Sequence, residues 1–301
     1  MTSSDPLFNS VPKPFQNFNP AAAEKIIIDF IQKTVKESGS TGVVLGLSGG
    51  IDSALVAALS VKALGVENVH PVFFYTDNLN ADEFDSEDLQ DAVLLCSNLG
   101  LTLQKINMFS LFSAAQSSFD TNSNGSNESV SVSFSDMKPD DLISFGNLKS
   151  RLRMSLLYYY ANRNHLLVIG TKNKTERLTG YYTKYGDGGV DLDPIADLYK
   201  TEVRLLSKYM ELPESILKKV PSAGFWSGQS DEDDLGISYE QLDVLLYELN
   251  TYQNNFSFLE STNLEVILKK TGLTKNEYES ILSRIRGAEH KQRLPDFPKT
   301  S

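Results

Sequence analysis

The strongest constraint on this chain is a short apolar run that ends in glycines. Thr41 to Leu47 (TGVVLGL) is apolar and β-branched without alternation, and it runs into Ser48-Gly49-Gly50-Ile51-Asp52-Ser53. A strand lacking apolar–polar alternation is covered on both faces, as in a parallel sheet enclosed by helices. The flanking sequence agrees with this. Residues 21–38 carry apolar side chains at helical spacing and stop before Gly39. A helix from about Ser53 to Leu64 and a second buried strand, Val69 to Tyr75, complete one βαβ unit. A helix over about 84–99, a strand over 102–106, a helix near 109–118 and a strand from Leu166 to Ile169 continue the pattern. The expected fold class is α/β, a doubly wound parallel sheet.

Where that strand meets its helix, Gly46 to Ser53 (GLSGGIDS) has the make-up of an anion site. Glycines let backbone N–H groups turn inward, and the helix that follows directs its positive dipole end at the same point. The Ser48 and Ser53 hydroxyls can add donors for phosphate oxygens. A carboxylate beside a polyphosphate calls for a divalent cation between them, so Asp52 is a candidate Mg2+ ligand. The plainer alternative is a glycine turn capped by Asp52 and Ser53. Neither the Walker GxxxxGK[ST] nor the dinucleotide GxGxxG spacing is present here, which argues against a GTPase-like or hydride-transferring protein.

Composition narrows the classes further. The 301 residues are 41% hydrophobic, ample for a large core, and the net charge of -11 argues against a nucleic-acid-binding surface. Cys96 is the single cysteine, read as a buried filler, so no internal disulfide or cysteine-rich zinc site can form. His70, His165 and His290 lack the clustered spacing of a zinc site. No apolar stretch is long enough to span a membrane and the N-terminus has no signal core, so a cytoplasmic protein is expected. Residues 1–20 read as a tail and 21–301 as a single domain. Within it, 117–141 is a serine- and asparagine-rich surface insertion, and 238–301 is a helical segment with a basic tail.

The SGGxDS loop resembles that of the ATP pyrophosphatase superfamily, whose members cleave ATP between its α and β phosphates. Four further segments are similar to the NAD synthetase family: NLKSRLRM (147–154), GTKNKTERLTGYYTKYGDGGVDLDPIADLYKTEV (170–203), PSAGFWSGQSDEDDLG (221–236) and EHKQRLP (289–295). With the loop they occur in the family's order over nearly the whole chain. The resemblance implies a Rossmann-like sheet of the adenine nucleotide alpha hydrolase-like kind with C-terminal helices. It implies ATP contacts from Gly46, Leu47, Ser48, Gly49, Gly50, Ile51, Asp52, Ser53, Thr171, Lys200 and Ser222, and Mg2+ held by Asp52 and Glu176. It further implies deamido-NAD contacts from Arg151, Lys184, Asp191, His290 and Lys291, and a homodimer in which the tail reaches a shared site. Taken without the motifs, Glu176 reads as a solvated helix carboxylate pairing with Lys172, Lys200 as an exposed lysine, and His290-Lys291 as solubilising charge.

The implied reaction has two steps. The nicotinate carboxylate of deamido-NAD attacks the α-phosphorus of ATP, pyrophosphate leaves, and ammonia then displaces AMP from the acyl adenylate to give NAD. Asp52 and Lys200 are the expected catalytic residues of adenylation. Asp187, in Tyr185-Gly186-Asp187-Gly188, is the candidate for holding ammonium and taking its proton, with a turn aspartate as the alternative. Glutamine-dependent members of the family carry an N-terminal amidase domain with a cysteine nucleophile. About 40 residues before the loop are too few for one, so direct use of ammonia is expected. In some relatives an arginine after the second strand contacts ATP, and FFYTDNLNADEFDSEDL has no basic residue there. Another ATP pyrophosphatase, such as a tRNA-modifying enzyme, is the rival reading. It would call for a basic RNA-binding face or catalytic cysteines.

Overall fold

The computed structural model describes residues 11–77, 85–120, 139–222, 230–251, 264–295 and 297–298. Helix α1 (Pro20–Ser38) begins where Asn19 Oδ1 accepts from Ala22 N at 3.1 Å and ends at Gly39 in the left-handed region. There follow β1 (Gly42–Gly46), α2 (Ile51–Leu64), β2 (Val69–Tyr75), α3 (Glu87–Leu99), β3 (Gln104–Asn107), α4 (Phe109–Asp120), α5 (Pro139–Asn164) and β4 (Leu166–Val168). The strands are parallel in the order β3-β2-β1-β4, with Val43 opposite Val69 on one side and Leu167 on the other. This is the expected α/β architecture.

Side chains of β1 alternate between two covered faces. Val43 and Leu45 join α1, α2 and α3 in one apolar cluster, while Val44 joins Val72, Phe74, Ala161 and Val168 in another under α5. Each such side chain fully removed from water contributes roughly 1.5–3 kcal/mol. That is why the strand sequence tolerates no polar residue on either side. Cys96 is buried in the first of these clusters, as a filler should be.

The sequence pattern does not reveal α5, because its apolar residues do not gather on one stripe. The expected insertion 117–141 is narrower than its composition suggests, since helix continues to Asp120 and resumes at Pro139. Its middle, 121–138, lies outside the described residues.

The second half of the chain adds α6 (Lys174–Thr179), α7 (Lys200–Tyr209), α8 (Glu214–Lys218), α9 (Asp231–Leu235), α10 (Tyr239–Thr251), α11 (Leu264–Thr271) and α12 (Lys275–Ala288). Most of their apolar side chains form a separate cluster containing Leu205, Tyr239, Leu242, Leu245, Ile267 and Ile281, while Val203 and Leu206 of α7 and Ile216 of α8 join the first one. The expectation of a plain tail over 1–20 fails from Val11 onward. Val11 and Phe15 are buried in this cluster, with the Phe15 ring 5.3 Å from Tyr199 and 5.7 Å from Tyr247. Among the described residues no helix is long and apolar enough to cross a membrane.

The strand order reverses between β1 and β4. In open α/β sheets a crevice forms at such a reversal, outside the C-terminal strand ends. Here it brings the turn after β1 opposite the segment after β4, which an isolated bridge from Ile169 to Leu192 extends.

Candidate active site

The turn after β1 is shaped by one close approach. Gly49 has φ +77°, and a Cβ there would lie 2.4 Å from the carbonyl oxygen of Asp88, so only glycine lets the first turn of α3 pack this tightly. Gly50 is the N-cap of α2 and supplies no side-chain bond. The alternative of an Asp52 or Ser53 cap is therefore overturned, and the first N–H groups of α2 keep the outward anion-binding character of a helix start. Ser53 departs from expectation. Its buried hydroxyl donates to Gly50 O at 3.0 Å and accepts from Ser48 N at 3.2 Å, so it braces the turn from within. Ser48 is exposed at the turn, and its Oγ accepts from Gly50 N at 3.3 Å.

Asp52 points across the crevice to α6 and α7. Its Oδ2 lies 2.5 Å from Lys200 Nζ and its Oδ1 accepts from Asn173 Nδ2 at 2.9 Å. Lys200 is 2% exposed and reaches Glu176 Oε1 at 3.8 Å, so the reading of an exposed lysine is wrong. Lys172 pairs with Asp193 and not with Glu176, so that alternative falls too. Burial and the Asp52 charge hold the Glu176 carboxyl well above the usual range, against the pull of Lys200 and the Asn173 N–H. Burial pulls the Lys200 ammonium down, but Asp52 and Glu176 outweigh it and raise it. A buried carboxylate so weakly compensated, opposite a second one, is a hard oxygen pair suited to a divalent cation. Among the described residues no third histidine, cysteine or acid completes such a set, so phosphate oxygens and water would have to.

Sequence reasoning missed three parts of this cluster. Asn173 caps α6 in a reciprocal box with Glu176 (Asn173 Oδ1 from Glu176 N, 2.9 Å; Glu176 Oε2 from Asn173 N, 3.1 Å). The Asn-x-x-Glu spacing of NKTE carries that signal. Asp231 accepts from Tyr239 Oη at 2.9 Å and Tyr181 Oη at 3.1 Å, and the Tyr239 ring lies 5.0 Å from Lys200 Nζ. Asp243 accepts from Thr175 Oγ1 at 2.5 Å and from Thr201 N and Oγ1, both at 2.7 Å. Asp231 lies within the segment 221–236, which gave it no role, and no local pattern announces Asp243.

The remaining predicted positions fall into a second group around the Tyr185–Gly188 turn. Asp187 Oδ1 accepts from Ser150 Oγ at 2.7 Å and Thr183 N at 3.0 Å, so half of the carboxylate closes the turn, and no described residue bonds Oδ2. Lys184 Nζ donates to the His290 carbonyl at 2.6 Å, and the Lys184 carbonyl accepts from Arg151 Nε at 3.3 Å. Lys291 is no solubilising charge. It is half-buried, donates to the Gly180 and Tyr182 carbonyls at 2.7 and 2.8 Å, and burial lowers its ammonium while Asp187 raises it. His290 takes part through its backbone, and its side chain is exposed. Asp191 stands apart, with Oδ2 accepting from Val168 N at 2.7 Å and Oδ1 from Tyr158 Oη at 3.0 Å, so it secures the end of β4. Thr171 follows the Ile169–Leu192 bridge, and Ser222 is exposed at the last residue before 223–229, which lie outside the described residues.

Fold and site together define a doubly wound α/β protein with an anion-binding glycine turn set against a buried acid–lysine cluster at its switch point. The chain belongs to the NAD synthase family, whose sequence profile matches residues 24–295. It is 44% identical over 277 residues to the NH(3)-dependent NAD(+) synthetase of Methanosarcina mazei, covering 92% of this chain and 97% of that one. The NH3-dependent NAD synthetase of Campylobacter jejuni superposes with a TM-score of 0.70 at 34% identity, covering 94% of this chain and all of that one (100%). The NMN synthetase of Francisella tularensis superposes with a TM-score of 0.73 at 30% identity, covering 94% and 99% of the two chains.

Proposed function

We propose that this chain amidates deamido-NAD to NAD, using ATP and ammonia and releasing AMP and pyrophosphate. Family membership supports the reaction, and the observation that carries it is the Asp52–Lys200–Glu176 cluster beneath the glycine turn. The N–H groups at the start of α2 bind the β and γ phosphates, and Lys200 offsets charge on the departing pyrophosphate. Asp52 and Glu176 are the residues that would hold Mg2+, which when bound would neutralise phosphate charge. Thr171 and Ser222 complete the ATP contacts. Arg151, Lys184 and Lys291 give a cationic wall for the acceptor dinucleotide and its carboxylate, with His290 and Asp191 at its margins. Asp187, fixed through Oδ1, keeps Oδ2 to hold ammonium and take its proton as the amide forms.

The purified chain incubated with ATP, Mg2+, deamido-NAD and ammonium is expected to give NAD and AMP in equal amounts. ADP in place of AMP would sink the reading. Offering the mononucleotide acid beside deamido-NAD decides between an NAD-forming and an NMN-forming enzyme, and the 44% identity to an NAD(+) synthetase favours the dinucleotide. The reading includes a cytoplasmic homodimer. Sedimentation of the pure chain at twice its monomer mass supports the dimer, and a monomer at assay concentration removes it.

A further inference from the structure

One cation on α5 is accounted for by neither group of site residues. Ser150, Arg153, Met154 and Leu157 follow the i, i+3, i+4, i+7 spacing of one helix face. The two ends of that face are fixed by contacts. Ser150 Oγ bonds Asp187, and a Cβ added at Gly189 would lie 3.1 Å from Met154 Cγ and one added at Gly46, at the end of β1, 3.9 Å from Leu157 Cδ1. Arg153 thus lies between the Tyr185–Gly188 turn and the beginning of the glycine turn. Its Nε is shielded from solvent and has no hydrogen-bond partner among the described residues.

The acids whose charge reaches Arg153 come from both walls, Asp187 and Asp88, yet each is engaged elsewhere. Asp187 holds Ser150 and Thr183, and Asp88 pairs with Lys219 at 2.7 Å. One turn earlier on α5, Lys149 is buried 5.6 Å from the Phe112 ring, and burial followed by the Arg153 charge lowers its ammonium to about 8. Burial likewise lowers the Arg153 guanidinium, partly restored by Asp187 and Asp88. A covered donor left without a partner is costly, because its lost hydration goes uncompensated. Such a group in a crevice is a place for a ligand acceptor.

We propose that Arg153 is a catalytic residue that donates to the non-bridging oxygens of the α-phosphoryl group as it passes from ATP to the acceptor carboxylate. This rests on the amidation reading above. In the step, a carboxylate oxygen bonds to the α-phosphorus, the bond from phosphorus to the β-bridging oxygen breaks, and its electron pair leaves with pyrophosphate. Arg153 stays protonated throughout. The pyrophosphate side is served by the glycine turn and Lys200, and the dinucleotide side by Arg151, Lys184 and Lys291. Arg153 stands between them, and its planar fork matches two oxygens of one phosphoryl group.

The test is exchange of labelled pyrophosphate into ATP by the full chain with deamido-NAD, Mg2+ and no ammonia, which isolates adenylation. Arg153→Met is expected to lower the exchange kcat about 100-fold, with KM for ATP within about threefold of wild type. Arg153→Lys should stay about 10-fold down, because an ammonium cannot present the fork. Added guanidinium ion should restore part of the Arg153→Met rate, which a purely structural role would not allow. Wild-type exchange in either folded variant overturns the assignment, as does a raised KM with kcat unchanged. If Arg153→Met does not fold, Arg153→Lys alone decides between these outcomes. Absence of exchange in the wild-type chain would instead remove the amidation reading itself.

Discussion

Lys200 is held at 2.5 Å from Asp52 and 3.8 Å from Glu176, at 2% exposure, so its charge is tied to the placement of both acids. Lys200→Met would leave two carboxylates covered without their cation. Breaking one side of such a pair costs about 3–5 kcal/mol, and urea titration should show a loss of that size. The reverse change is milder. Glu176→Gln removes a charge that burial and Asp52 already oppose, so unfolding stability is expected to stay within about 1 kcal/mol of wild type or to rise. Its turnover should nevertheless fall about 100-fold, as for loss of a group that organises phosphate charge. A Glu176→Gln protein with wild-type turnover would remove Glu176 from the proposed metal pair.

At the scale of elements, the site depends on how the starts of α6 and α7 are joined. Asp243, on α10, accepts from Thr175 Oγ1 and from Thr201 N and Oγ1, while Thr175 Oγ1 also accepts from Lys200 N at 3.0 Å. The helix carrying Glu176 and the helix carrying Lys200 are thereby fixed to one buried carboxyl. Burial raises that carboxyl to about 6, against the pull of Thr175 and Thr201. Its value in the unfolded chain is about 3.9. Because the folded value is the higher one, its contribution to stability is complete below the unfolded value and is lost as pH rises through the folded one. The stability gap between wild type and Asp243→Ala should therefore be widest near pH 4 and narrow by up to about 3 kcal/mol by pH 7. Urea unfolding of both proteins across that range checks it, and a gap that widens with pH would refute the assignment. This element is also where the sequence ceases to be legible. β1, α2 and β2 follow from periodicity because both faces of each strand are covered. The glycine turn is equally plain, since φ +77° at Gly49 and the approach of Asp88 require that residue type. Asp243, Asp231 and Arg153 look like ordinary charges on helices, and only the packing of distant elements covers them. Lys200 and Lys291 misled for the same reason, because isolated basic residues are usually exposed and nothing local shows what will bury them.

Across the whole molecule, α7 belongs to two cores at once. Val203 and Leu206 pack in the cluster under the sheet, while Leu205 packs with Phe15, Leu242 and Leu245 in the cluster of the C-terminal helices. Lys200 opens this shared helix, so its position answers to both cores. Leu245 shows no exposure and carries no polar atom in its side chain. Truncating it to alanine should cost about 2–5 kcal/mol through lost burial and the cavity left behind. If the two clusters unfold together, far- and near-ultraviolet circular dichroism should report one transition at a lowered midpoint in Leu245→Ala, and pyrophosphate exchange should disappear over the same interval of urea. An enzyme whose C-terminal helices melted first, with exchange surviving into a second transition, would show that the sheet half alone holds Lys200 against Asp52. One coincident transition would instead mean that the basic tail, the acid–lysine cluster and the glycine turn stand or fall as one folded unit.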